Sequence, residues 1–426
     1  MRIAILGINY APEPTGIAPY TTGLATGLAE RGHQVAVLTG FPHYPQWKRS
    51  KEVSAFRSDE RIDGVHVRRF SHSVPHTLSW RGRAAMEVTF GLQLLTSRWG
   101  RPEVVVFVTP PLLAVAMAAV RARMTWPRPA IGILVQDVYS RGVTETGAAS
   151  GLSARAIHAV ESFAVRLADG VVVIHPGFGR DLTERHGVEA HRIRDIRNWT
   201  HVDHPNPSAS AAFRDAHGWS HDEVVVLHAG NMGYKQGLEN VVAAAELAGR
   251  SGSRVRFVLL GDGNQRADLQ AAGAGVGALE FLSPVREEEL PAALGAADVL
   301  LVNERPGVAQ MSLPSKLTSY FSAGKPILAA TDEAGFTAQE VMASGAGVRV
   351  PADRPDLLLA EALRLGADRA LAAKLGQAGR RYSASLLSAT TALDSYEEWI
   401  TDLAESRRRL ANDAGCRGAP GCIGMR

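Results

Sequence analysis

The sequence predicts an α/β protein built from two doubly wound parallel-sheet, Rossmann-like domains facing across a cleft. Two observations lead there. Short apolar runs alternate with amphipathic helical patterns along nearly the whole chain. That alternation is interrupted near residues 201–211, HVDHPNPSASA, where Pro, Ser, Asn and Asp crowd together as a linker requires, and then it resumes. At 426 residues the chain is long enough for two or three domains.

In the first half, strand-like runs fall at Ile3–Leu6, Gln34–Leu38, Val65–Arg69, Val104–Val108, Ile131–Val135 and Val171–Ile174. Helical patterns lie at Tyr20–Arg31, Ser153–Ala168 and Gly179–Arg185. The longest apolar run, Val104–Val120, is split by Thr109, Pro110 and Pro111 into a strand-length and a helix-length piece, which reads as buried β then α and not as a membrane span. In the second half the runs are Val224–Leu227, Arg256–Leu260, Ala278–Leu282, Val299–Val302, Pro326–Ala330 and Gly347–Val350. Ala- and Leu-rich helices follow from Asp356, and Ser385–Leu410 reads as a last long helix. These elements give domains at 1–205 and 212–383, a helix at 384–411 packing back on the first domain, and a disordered Gly/Pro/Cys-rich tail at 412–426.

Composition places the chain among ordinary globular proteins, 46% hydrophobic and 21% charged. Both cysteines, Cys416 and Cys422, lie in the tail, so no disulfide framework supports the body, and a reducing cytoplasm is expected. No signal peptide is read at the N-terminus, where the apolar stretch from Ile3 meets Pro12 and Pro14. The net charge of +3 divides unevenly: residues 1–200 hold 24 Lys and Arg against 16 Asp and Glu. A basic first half suits an anionic acceptor or an anionic lipid surface, or is an uneven solvated surface. Trp80, Arg81, Arg83, Trp99, Arg101, Arg121, Arg123, Trp126 and Arg128 could form such an interfacial patch, or ordinary surface with partly buried tryptophans.

The stretch with the most chemistry is VVVLHAGNMGYKQGLEN, residues 224–240. An apolar strand stops at Gly230; Gly233 and Gly237 bracket Lys235; a helical pattern then begins. Glycines let the backbone approach a ligand, and a helix N-terminus with a nearby lysine attracts an anion, best a phosphate or diphosphate. A βα turn with glycines for geometry alone is the competing reading. Parallel sheets bind ligands at the carboxyl ends of their strands. The loops there are Gly7–Ile17, Thr109–Pro111 and Gln136–Tyr139, then Gly230–Gly237, Gly261–Gly263, Ser283–Arg286 and Asn303–Lys316.

Taken as an ordered set, these pieces resemble a known family. YAPEPTGIAPYTTGLATGLAERGHQVAVLTG at 10–40, TPPL at 109–112, QDVY at 136–139, IRNW at 196–199, AGNMGYKQGLE, VLLGDG at 258–263 and PSKLTSYFSAGKPILAA at 314–330 are similar to GT-B fold retaining glycosyltransferases of family 4. The similarity is greatest to the branch that builds bacterial exopolysaccharide, colanic-acid and O-antigen-type chains, and it covers about residues 1–400. The resemblance implies a nucleotide-sugar donor whose diphosphate meets Gly230, Asn231, Gly233 and Lys235, with Gly16 approaching from the opposite domain and Lys316, after Ser315, as a second cation. It implies nucleobase recognition around Ser283 and Val285, a donor-sugar loop at Glu304 and Arg305, and Gln136 and Asp137 aimed at the transferred sugar. Lys235, Lys316 and Asp137 are the expected catalytic residues. Each also has a plainer reading: surface lysines, a surface Glu-Arg pair, a helix-capping Asp. Three positions depart from the family pattern. Gln136–Asp137 stands where most relatives have His-Asp. Gly230–Asn231 and Gln236–Gly237 replace Gly-Arg and Lys-Gly. Ser319 replaces the Glu that holds the donor ribose, and a hydroxyl holds ribose less strongly than a carboxylate.

No Asp-x-Asp motif and no metal-ligand spacing occurs, so no metal or other cofactor is expected beyond the nucleotide-diphosphate sugar as co-substrate. The expected acceptor is a polyprenyl-linked glycan or a small aglycone, with no nucleic-acid partner, in the cytoplasm and with peripheral contact to the inner face of an anionic membrane as an extension of that reading. His175 and His228 follow strands and read as satisfied core histidines before ligand contacts. The alternatives in function are a nucleotide-sugar epimerase and a non-catalytic nucleotide-sugar-binding partner. A dinucleotide oxidoreductase is disfavoured because the first βα turn, GINYAPEPTG, has no G-x-G-x-x-G.

Overall fold

The computed structural model describes residues 1–13, 16–44, 47–48, 56–75, 80–145, 151–308, 310 and 313–417. Pro14 and Cys422 lie outside the described residues, as do the side chains of Trp80 and Cys416. The chain forms two compact units: one holds Met1–Thr144, the segment ending at Arg197 and the C-terminal helix from Thr390, and the other runs Asn198–Ala389.

The first unit carries an eight-stranded sheet: β1 (Arg2–Leu6), β2 (Gln34–Gly40), β3 (Arg57–Ile62), β4 (Val65–Phe70), β5 (Val104–Val108), β6 (Ala130–Val135), β7 (Gly170–Val173) and β8 (Ile193–Asp195), in the order β3-β4-β2-β1-β5-β6-β7-β8. The second carries six: β9 (Val224–Ala229), β10 (Val255–Leu260), β11 (Leu279–Leu282), β12 (Val299–Asn303), β13 (Ile327–Ala330) and β14 (Gly347–Val350), in the order β11-β10-β9-β12-β13-β14. Apart from the β3–β4 pair, every pairing among the described residues is parallel. Helices cover both faces of such sheets, so the central strands are nearly continuous apolar runs, and all five residues of β5, VVVFV, are buried. The order reverses between β1 and β5 and again between β9 and β12. Those two switch points are where an open α/β sheet leaves a crevice for a ligand.

Two strands carry no apolar signal. β3, RSDERI, is an exposed edge strand held by its ladder to β4 and by Arg68 bonding Asp59 directly opposite at 2.6 Å. β8 has three residues at the other edge. The last helix, Ala389–Arg417, continues past Asn412, where the sequence reading places an irregular tail. It lies on β6 and β7. A β-carbon on Gly132 would come within 2.4 Å of the Trp399 ring, so glycine is what lets that indole seat on the sheet. Arg31 pairs with Asp394 at 2.7 Å and Arg194 with Asp402 at 2.9 Å along the same helix.

Of the two readings that the sequence leaves open for Trp99, part of an interfacial patch or a partly buried tryptophan, the structure has the second: Trp99 is buried. Its ring stands edge-on to Phe107, and the Arg121 guanidinium lies 4.3 Å from its centroid. Among the described residues no helix is long and apolar enough to cross a membrane.

Candidate active site

In the second unit, the ends of β9, β12 and β13 bring three loops together at the switch point. After β9 the chain turns at Gly230, whose φ of +128° suits only glycine. The neighbouring turn after β10 fits directly against it: a β-carbon on Gly261 would sit 2.0 Å from the Gly230 carbonyl oxygen, and one on Gly263 2.4 Å from that of Met232. The Met232 N–H donates to the Asp262 carbonyl at 2.8 Å, locking the two turns. Asn231 is exposed at the tip. Gly233 donates its N–H to Gln236 Oε1 at 3.1 Å and opens a short 3-10 turn, Tyr234–Gln236, that carries the half-buried Lys235.

Asn303, buried at the end of β12, fixes this loop from below. Its Nδ2 donates to the carbonyls of Gln236 and Gly237 at 2.8 and 2.9 Å, while its Oδ1 accepts from Asn240. The Arg305 guanidinium is spent on the same loop: it lies 3.9 Å from the Tyr234 ring centroid and donates to Glu239 at 2.8 Å. The helix after the loop begins only at Glu239, and that acidic side chain already occupies its first turn. The groups that attract an anion here are therefore the lysines more than the helix end.

Lys316 opens the helix Lys316–Ala323, and its Nζ lies 3.0 Å from His228 Nε2 on β9. A β-carbon on Gly230 would be 3.5 Å from that Nζ, so the ammonium sits over the bare backbone of the turn. His228 is fully buried, and burial together with the adjacent Lys316 holds its pKa well below the usual imidazole range. It is therefore a neutral acceptor for the lysine. Burial also lowers Lys316 to about 7, a shift partly offset by Glu304. Glu304 is raised to about 7 by burial, against the opposing pull of two donating hydroxyls, Thr331 at 2.5 Å and Thr337 at 2.7 Å, and of Lys316 and Lys235. Lys235, Lys316 and Glu304 thus form one electrostatic group beside the glycine turn.

The remaining predicted residues of this unit are placed around it. Ser315 is exposed just before the lysine helix, and Ser319 is buried within that helix. Ser283 is exposed after β11, and Val285 is half-buried against the core. Tyr320 pins the lysine helix to the sheet, its hydroxyl accepting the Ala229 N–H at 2.8 Å.

In the first unit a second cluster forms at the ends of β1, β2 and β6. Gly16 has φ +71°, and a β-carbon there would meet the Tyr44 ring at 3.1 Å. Buried Glu13 ties that loop to the next: it accepts the N–H groups of His43 and Tyr44 at 2.7 and 2.9 Å and the Asn9 amide at 2.8 Å. Half-buried Asp137 follows β6 and, after burial, is the largest contributor raising the Tyr44 phenol. Gln136 is buried, its N–H donating to Thr109 Oγ1 at 3.2 Å. Arg83 faces the Tyr139 ring at 4.9 Å. Just past Asp137, buried Glu161 accepts the N–H groups of Tyr139 and Ser140 at 2.8 and 3.0 Å. His175 caps the helix Pro176–His186 by accepting the Gly177 N–H at 3.0 Å. Gly16 and Asp137 thus share a neighbour, Tyr44.

Sequence reasoning missed Glu13, Tyr44, Glu161, Thr331 and Thr337, and named Asn303 only as the start of a strand-end loop. Thr331 could have been found by asking which polar residue first follows each apolar strand. Glu161 gives no such signal, because it lies inside a helix. Among the described residues no group of three or more His, Cys, Asp or Glu is placed to hold a metal ion.

Two doubly wound sheets in one chain, one with a lysine held over a glycine turn at its switch point, are an architecture that GT-B glycosyltransferases share. Family models agree. Residues 15–199 match "Glycosyl transferase 4-like domain" and residues 210–382 match "Glycosyl transferases group 1". The chain is 30% identical over 335 residues to the Escherichia coli protein named "Putative colanic acid biosynthesis glycosyl transferase WcaI", covering 76% of this chain and 82% of that one. It is 26% identical to the glycogen synthase of Mycobacterium tuberculosis over 71% and 72% of the two chains. In fold it is similar to sucrose-phosphate synthase from Thermosynechococcus elongatus, with TM-score 0.71 and 18% identity over 97% of this chain and 99% of that one. Anabaena HepE in complex with UDP-glucose gives TM-score 0.70 and 16% identity over 94% and 100%. The chain belongs to this glycosyltransferase family.

Proposed function

We propose that the chain transfers a hexosyl group from a nucleotide-diphosphate sugar to a polyprenyl-linked glycan, with retention of anomeric configuration and without a metal ion. The observation that carries this reading is Lys316, held over Gly230 by a neutral histidine and grouped with Lys235 and Glu304. An ammonium kept in low dielectric gains most when a dianion arrives, and gains further as the glycosidic bond breaks and the diphosphate takes up negative charge. The backbone of Gly230, Asn231 and Gly233 then lies along the phosphates, and Ser283 and Val285 border the base. Ser319 meets the ribose. Glu304 meets the donor sugar, with Arg305 bracing the loop between them. Departure of the nucleotide diphosphate on the front face leaves the acceptor hydroxyl to attack from that same side, losing its proton to a phosphate oxygen. Asp137, with Gln136 beside it, orients the transferred sugar and the acceptor hydroxyl.

The identity of HepE's ligand supports a uridine donor, and similarity to WcaI supports an acceptor in surface-polysaccharide assembly. Such an acceptor sits at the inner face of the cytoplasmic membrane, so peripheral contact with anionic lipid belongs to this reading. The test is nucleotide release from UDP-, GDP- and dTDP-sugars with and without polyprenyl-diphosphate-linked acceptors, in the presence of EDTA, with the product anomer read by NMR. Release that requires acceptor, proceeds in EDTA and keeps the donor's anomeric configuration is expected. Ser319 favours a second reading, a partner that binds sugar nucleotide without turnover; binding with no release under any acceptor would establish that instead.

A further inference from the structure

The solvent side of a surface helix is ordinarily polar. In the middle of the helix Trp80–Thr96 it is not: between exposed Arg81 and Thr96, Val88 and Leu92 are exposed. The neighbouring helix Leu112–Met124 exposes Val120 and Met124, the latter 81% accessible, and Trp126 in the following loop is 89% accessible. The two helices pack side by side, so closely that a β-carbon on Gly91 would meet Met117 Sδ at 2.7 Å. Val88, Leu92 and Leu95 fall at i, i+4 and i+7. Leu113, Met117, Val120 and Met124 fall at i, i+4, i+7 and i+11. Each series is a single stripe, and the two stripes border the groove marked by Gly91 and Met117.

Charge around this apolar face has one dominant sign. Between residues 80 and 101 the only acidic residue is Glu87, which is buried; between 112 and 130 there is none. Arg98 and Arg101 are exposed beside the first helix. Arg121 lies over Trp99, and Arg123 and Arg128 both reach the single carboxylate of Asp169. An apolar stripe with an arginine rim fits a surface that offers hydrocarbon beneath a layer of negative charge.

We propose that this helix pair docks the first unit onto an anionic lipid bilayer, with Met124 and Trp126 entering the headgroup boundary and the surrounding arginines meeting lipid phosphates. The proposal rests on the membrane-bound acceptor read above and assigns it a surface; vesicle binding and sugar-nucleotide binding are measured separately on the same full-length protein, so either can fail alone. The experiment is cosedimentation with phosphatidylcholine vesicles containing or lacking phosphatidylglycerol, at low and high salt. Wild type is expected to sediment with the anionic vesicles and to be released by salt. The triple variant L92S/M124S/W126S is expected to bind about tenfold or more weakly. R98E/R101E should also bind more weakly and lose most of the salt dependence. Both variants should keep the wild-type melting temperature and nucleotide affinity, because all five side chains are exposed. Wild type that stays in the supernatant at low salt overturns the proposal, as does equal sedimentation of the triple variant. So does light scattering that shows a wild-type dimer dissolved by the triple substitution, which would make this face a contact between copies of the chain.

Discussion

At Lys316 burial works against charge, and the sign of the resulting pH response can be worked out. Its pKa is lowered to about 7 in the free protein, so above pH 7 the free side chain is largely neutral. A bound diphosphate favours the charged form and raises that pKa. Donor affinity should therefore be greatest below pH 7 and fall as pH rises through it. At pH 8.5 binding should take up about one proton. Calorimetry in buffers of different ionisation enthalpy reads this directly: uptake should persist in E304Q and vanish in K316M. Glu161 makes a second prediction. Its two main-chain acceptor bonds hold the turn that carries Asp137. E161A should lower kcat with little change in donor affinity, and E161Q, whose amide oxygen can still accept one of those bonds, should recover part of it. Lys235 was legible because glycines frame it in sequence, and Lys316 only through the family resemblance of the segment that follows Pro314 and Ser315. The His228–Lys316 contact was not, because the pair lies 88 positions apart and only the β9–β12 crossover joins them.

At the scale of elements, the central strands were readable because parallel strands covered on both faces must be apolar throughout. β3 and β8 escaped because an edge strand needs only backbone pairing on one side, and RSDERI carries nothing for burial to select. The interlocked turns after β9 and β10 lead to a third prediction. In G261A the new β-carbon meets the Gly230 carbonyl oxygen, a backbone atom that cannot swing away. The Gly230 turn must shift, and donor affinity should fall about tenfold or more by calorimetry while the strand cores stay folded by circular dichroism. The last helix supplies a fourth. Trp399 is buried against Gly132 and Gly170, so W399A should cost about 3–5 kcal/mol in urea unfolding monitored on the first unit.

At the scale of the whole molecule, each unit has its own sheet and its own switch point; the two sheets were legible from the twice-repeated alternation, and the switch points emerge only from the strand order. What the sequence left unread is how each site is held: Glu13 bracing the Gly16 loop, and Asn303 and Arg305 bracing the Lys235 loop, all use contacts between segments far apart in the chain. Because the cations belong to the second unit, donor binding should stabilise Asn198–Ala389 first. At about a hundredfold excess over the dissociation constant the gain is about 2.7 kcal/mol, visible as a raised Tm. The most direct measurement of the central claim is a calorimetric titration of UDP-, GDP- and dTDP-sugars into wild type and K235A/K316M. The account predicts that at least one sugar nucleotide binds wild type and that the double variant binds it at least about tenfold more weakly, a loss of about 1.4 kcal/mol or more. Equal affinity in the two proteins, or no binding to wild type by any of them, would contradict it.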